Sequence, residues 1–104
     1  MSKVVGGRRS GSRLVLSGAR DGTVFPLVLA ETLVGRIDSA QIVFEDASVS
    51  RIHARLILEA GAVVVEDLQS REGTWVNGVA VLRQALADGD EIAFGDMTVA
   101  YRCD

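Results

Sequence analysis

Along most of this chain apolar and polar residues alternate with a period of two, the spacing of strands whose two faces meet different surroundings. The pattern is clearest from position 52. Ile52, Ala54, Leu56 and Leu58 alternate there with His53, Arg55, Ile57 and Glu59, which predicts a half-buried strand with its even positions inward. A turn at 59–62 leads to a partner strand over 63–66. Upstream, strands are predicted over 13–17, 23–30, 32–37 and 41–44, and Pro26 suggests an edge position or a bulge in the second. Downstream, 74–76 and 79–82 flank Asn77-Gly78, a strong hairpin signal because both central residues of a type I′ turn need positive φ. Strands over 91–94 and 97–102, joined at Gly95-Asp96, close the pattern. No stretch carries a helical period. About ten short strands separated by turns predict an all-β sandwich.

The chain's 104 residues, 48% of them hydrophobic, suffice for one domain with its own core. Charge divides the chain. Residues 1–20 carry Lys3, Arg8, Arg9, Arg13 and Arg20 with no acids, whereas residues 21–104 set six arginines against all 14 acids, a net of −8. Residues 1–12 read as a flexible basic lead-in and 13–104 as the folded domain. An acidic body argues against general nucleic-acid binding, which depends on neutralising phosphates. No apolar run approaches the ~20 residues of a membrane span, and the start lacks the apolar stretch of a secretory signal. A single cysteine, Cys103, allows no internal disulfide and points to a reducing, cytoplasmic setting. With one histidine besides, a zinc site would need several carboxylates, so neither metal nor cofactor is expected.

Chemistry concentrates in the segment Asp46-Ala-Ser-Val-Ser-Arg-Ile-His53, which holds two hydroxyls, an arginine and the chain's only histidine. Ser50 and His53 invite comparison with a nucleophile and its base, but no Gly-x-Ser-x-Gly elbow is present. A buried histidine that ties a loop through its two nitrogens is the expected role. The carboxylate pairs lack the spacing of a calcium loop, and no glycine-rich loop precedes a helix. What remains is anion recognition. Arg36, Ser50, Arg51, Ser70 and Arg71 lie in three turn-like segments that one end of a sandwich could bring together, and arginine meets a phosphate bidentately while serine hydroxyls serve its other oxygens.

In order along the chain, Gly35-Arg36, Ser50-x-x-His53 and Asn77-Gly78 resemble the signature of the forkhead-associated (FHA) domain. The longer pieces agree: Val49-Ser-Arg-Ile-His-Ala54, Asp67-Leu-x-Ser70-x-x-Gly73-Thr-x-Val-Asn-Gly78, and Leu86-x-x-Gly89-Asp-x-Ile92-x-x-Gly95. The resemblance spans roughly 13–102. It implies an eleven-stranded β-sandwich, without catalysis, whose loops at one end bind phosphothreonine in a protein partner, and hence a Ser/Thr kinase to make that mark. By the same resemblance Arg36, Ser50, Arg51 and Arg71 would hold the phosphate. Ser48, Ser70, Glu72 and Asn77 would face the peptide, with Ser48 where the family reads the residue three beyond the phosphothreonine and Asn77 also bonding neighbouring loops. Gly35, His53, Gly73, Thr74 and Gly78 would be architectural.

One position departs from the family pattern. Where the family usually has asparagine before Gly-Thr, this chain has Glu72. A carboxylate accepts from a peptide N–H but cannot donate, and it sets a negative charge near a dianion. That substitution keeps a second expectation open, a phosphorylation-independent interaction module on the same fold.

Overall fold

The computed structural model describes residues 11–17 and 22–104. The described residues form eleven strands, in chain order β1 (Arg13–Leu16), β2 (Val24–Pro26), β3 (Glu31–Gly35), β4 (Ile42–Val43), β5 (Ala54–Glu59), β6 (Ala62–Asp67), β7 (Thr74–Val76), β8 (Val79–Ala80), β9 (Arg83–Ala85), β10 (Glu91–Phe94) and β11 (Met97–Arg102). They form two sheets, one ordered β9-β6-β5-β3-β4 and the other β2-β1-β11-β10-β7-β8. All pairings are antiparallel except β3 with β4, where Val34 faces Ile42. The all-β sandwich expected from the alternation is the observed architecture. No helix among the described residues is long and apolar enough to cross a membrane.

The core lies between the sheets and is mostly aliphatic, with Leu14, Val34, Leu56, Val65, Ile92 and Val99 among its buried members. A line of rings crosses it. Phe25 meets Phe44 edge-on at 5.7 Å, Phe44 lies 6.2 Å from Phe94, and Phe94 meets the His53 ring edge-on at 5.8 Å. These contacts couple the loop carrying His53 to both sheets, because aromatic pairs at this spacing have preferred geometry as well as buried area.

Several boundaries differ from those the alternation predicts. The strand expected over 23–30 stops at Pro26: the Leu27 N–H donates to Ser12 O, and Val28 and Leu29 stand exposed. Ala54 and Leu56 turn inward as expected, but Ile52, which precedes β5, and Leu58, near the end of β5, are exposed. β9 was not expected; its Arg-Gln-Ala sequence is exposed throughout and pairs with β6 through the backbone. Residues 1–10 of the expected basic lead-in, and residues 18–21, lie outside the described residues. Of the rest of that lead-in, Ser12 is tied to the sandwich through its hydroxyl, 3.1 Å from Tyr101 Oη. The turns at Ala60-Gly61 and Asn77-Gly78 both have positive φ at their two central residues, as type I′ hairpins require.

Candidate functional site

The segment 46–53 is the hub of one end of the sandwich. Three other segments converge on it, each from a different part of the chain.

From β3, the backbone after Gly35 lies directly against residues 50 and 51. Arg36 N–H donates to Ser50 O at 3.0 Å and Ile37 N–H to Arg51 O at 3.1 Å. A Cβ at position 35 would fall 2.1 Å from Arg51 O, so only glycine permits this approach. The approach also sets the Arg36 side chain. Its Nε donates to Val49 O at 2.9 Å, which fixes the guanidinium plane and leaves both Nη groups for a ligand.

From the segment 68–73, the Arg71 N–H donates to Ser50 Oγ at 2.9 Å, and Arg71 Nη2 reaches Ala47 O at 3.2 Å. Ser50 Oγ accepts that bond, so its own hydrogen remains to be donated outward. Arg71 also pairs with its neighbour, Nε lying 3.7 Å from Glu72 Oε2. The Arg51 side chain is exposed and forms no hydrogen bond or ion pair among the described residues.

From the β10–β11 turn, Asp96 N–H donates to Ser48 Oγ at 2.8 Å. The same hydroxyl donates to Asp46 Oδ1 at 2.7 Å, and Ser48 N–H joins it there at 2.9 Å. The hydroxyl bond first, and the main-chain bond second, hold the Asp46 carboxyl below its ordinary value of 3.8. Its grip on the loop is therefore present at neutral pH and is lost only as pH falls through that lowered value.

His53 sits beneath the hub, fully buried. Its Nδ1 accepts Ser50 N–H at 3.0 Å. The ring therefore carries its hydrogen on Nε2, which donates to Gly73 O at 2.9 Å. One side chain thus pins the segments 46–53 and 68–73 together, and neither nitrogen is left over. Ser50 Oγ has no base: the imidazole bonds the main chain of Ser50 and not its hydroxyl.

The loop 68–73 has an organiser that the sequence reading did not single out as a site residue. Asp67 accepts from Ser70 N–H, from the Ser70 hydroxyl and from Thr74 Oγ1, and Ser70 Oγ in turn accepts Gly73 N–H at 3.0 Å. The Ser70 hydrogen is committed to this brace, leaving only a lone pair for a peptide. Spacing was the available signal, an aspartate three residues before a serine at the end of a strand. Asn77 stands apart from the cluster. It lies past the far end of β7, where its side chain donates to Asp90 Oδ1 and accepts Glu91 N–H. It braces two loops there, the bonding between neighbouring loops that the resemblance implies for it.

The hub thus brings Arg36, Arg71 and the Ser50 hydroxyl together on fixed main-chain groups, with Arg51 next to Ser50 in the same segment. Such a cluster suits a compact dianion.

Known proteins share this sandwich. The FHA domain family model matches residues 32–95. The glycogen accumulation regulator GarA of Mycolicibacterium smegmatis is 37% identical over 99 residues, covering 93% of this chain and 63% of that protein. This chain therefore spans a little under two thirds of the length of that relative. Among solved structures, an FHA domain studied for phosphothreonine-dependent interactions superposes with a TM-score of 0.82 at 32% identity, covering 88% of this chain and 94% of that one. Mycobacterium tuberculosis EmbR, solved in complex with a low-affinity phosphopeptide, superposes with a TM-score of 0.87 at 29% identity, covering 96% of this chain and 26% of that one. The sandwich, the order of its motifs and these likenesses together place the chain in the FHA domain family.

Proposed function

We propose that this domain is a non-catalytic module that recognises phosphothreonine in a partner protein, with Arg36, Ser50, Arg51 and Arg71 holding the phosphate. The observation that carries the reading is the convergence at residues 47–51. Two arginines from different loops are fixed there through hydrogen bonds to the hub backbone, and a serine hydroxyl has its hydrogen free. The reading draws support from FHA relatives described with phosphopeptide or phosphothreonine-dependent interactions. A Ser/Thr kinase acts upstream in this account. Ser48 and Glu72 flank the cluster and face the peptide, Ser48 as an acceptor because its hydrogen is committed to Asp46. The assignment of Ser50 as a phosphate ligand and not a nucleophile draws support from His53, whose nitrogens are both spent on the main chain.

A phosphothreonine peptide should bind far more tightly than its unphosphorylated form, and binding should weaken below pH ~6 as the phosphate takes up its second proton. Calorimetric titration of both peptides at pH 7.5 and 5.5 measures this. Equal affinity for the two at pH 7.5 would discard the proposal.

Glu72 favours a second reading, docking without phosphorylation, because it already supplies Arg71 with a counter-ion. Under the phosphothreonine reading that carboxylate competes with the ligand. Glu72→Gln should then tighten phosphopeptide binding about two- to fivefold, the range expected for removing a nearby exposed like charge. Unchanged or weaker binding in that variant would favour the second reading.

A further inference from the structure

The two outer sheet faces treat charge differently. On the five-stranded sheet, Arg55 pairs with Glu31 at 2.7 Å and with Glu66 at 2.6 Å, and Arg83 pairs with Glu59. Charge there is matched across strands. The outer face of the six-stranded sheet instead carries a groove of about 420 Å³, lined by Trp75, Ala93 and Thr98 with Glu72, Glu91 and Asp96 around them. The groove is concave because small side chains, Ala93 and Thr98, lie beside the large Trp75 ring on neighbouring strands. The ring is 39% exposed, and its Nε1 donates to Glu72 O at 3.2 Å, so the indole is held in one orientation. The carboxylates of Glu91 and Asp96 have no hydrogen bond or ion pair among the described residues.

The groove is continuous with the phosphate cluster. Glu72 adjoins Arg71, and the Gly95-Asp96 turn is bonded to Ser48. Its other end lies at Gly78 and Glu91, four strand residues away, or about 13 Å. An extended chain gains ~3.3–3.6 Å per residue, so a peptide anchored by its phosphate reaches the groove within a few residues. An ordered aromatic face bordered by unneutralised carboxylates attracts Lys and Arg side chains, through the ring quadrupole and through charge.

We propose that the groove formed by Trp75, Glu91 and Asp96 binds a basic stretch of the same phosphorylated partner, flanking its phosphothreonine. The domain would then select partners in which a phosphothreonine and a cluster of Lys or Arg lie within several residues of each other. This rests on the phosphothreonine reading, and the test separates the two.

Phosphothreonine peptides are prepared with a four-lysine tail or a Gly-Ser tail, placed on either side of the phosphothreonine after a short spacer. The lysine tail on one side should tighten binding roughly tenfold over the Gly-Ser tail at low salt and less at high salt, as exposed charges are screened. It should also change the emission of Trp75, the chain's only tryptophan. The double variant Glu91→Gln with Asp96→Asn should lose the gain while binding the Gly-Ser peptide as wild type does, with an unchanged thermal midpoint. No gain from either side, or an equal gain in the double variant, overturns the proposal. A change in Trp75 emission on removing residues 1–10, with no peptide present, would assign the groove to the chain's own basic start and overturn it as well. If even the Gly-Ser peptides bind no better than their unphosphorylated forms, the phosphothreonine reading itself has failed.

Discussion

Replacing Arg36 with alanine should raise the Kd for a phosphothreonine peptide at least about 100-fold while leaving the domain folded. The Nε bond to Val49 O orients the guanidinium, so its two Nη groups meet the phosphate without further ordering. Two charge-assisted bonds at about 1.5–3 kcal/mol each exceed the 2.7 kcal/mol or so that a 100-fold loss represents. Arg36 is exposed, and removing its side chain costs the fold one hydrogen bond, on the order of 1 kcal/mol. Calorimetric titration with circular dichroism on the same sample checks both halves. A Kd within about threefold of wild type would show that the phosphate is held elsewhere.

The largest effect on stability is expected at His53, which is 0% exposed. His53→Ala removes the ring from its edge-on contact with Phe94, leaves Ser50 N–H without its acceptor and takes from Gly73 O one of its two donors, the other being Gly95 N–H at 3.1 Å. Cavity formation, one unsatisfied main-chain N–H and the loss of one bond to Gly73 O together cost about 3–5 kcal/mol, a large share of the ~5–15 kcal/mol typical of a domain. Urea denaturation measures the loss. His53→Phe separates the contributions, because it keeps most of the volume and loses both bonds. If the bonds matter, the phenylalanine variant remains destabilised by about 2 kcal/mol or more. A loss under 1 kcal/mol in the alanine variant would remove His53 from its place as the tie between the two loops.

How far the sequence reveals such a structure depends on what each residue has to do. The β10–β11 hairpin was legible because each strand buries one face: Ile92, Phe94, Val99 and Tyr101 turn inward, and the turn between them is marked by glycine. β9 was not legible, because an edge strand held by main-chain bonds to β6 needs no apolar alternation. Val28 and Leu29 misled in the opposite way. They extend an apolar run, but the main-chain bond of Leu27 goes to Ser12 and the two residues after it face solvent. Within the candidate site, the closeness of Ser50 to His53 was plain, and so was the departure at Glu72. The identity of the bonded atoms was not. Whether His53 meets the serine hydroxyl or its N–H separates a base from a brace, and only the folded backbone determines it. Asp67 stayed inconspicuous for a related reason. An aspartate at a strand end resembles any turn residue until Ser70, Thr74 and their loop close around it.

The central claim concerns place as well as affinity: one end of the sandwich, built on residues 47–51, receives the phosphate. The most direct test is a titration of 15N-labelled protein with a phosphothreonine peptide, followed by amide shifts. The account predicts that the largest changes fall at Arg36, Ser50, Arg51 and Arg71, while amides of the Ala60-Gly61 turn between β5 and β6 stay still. Large changes at that turn with a silent 47–51 segment would contradict it.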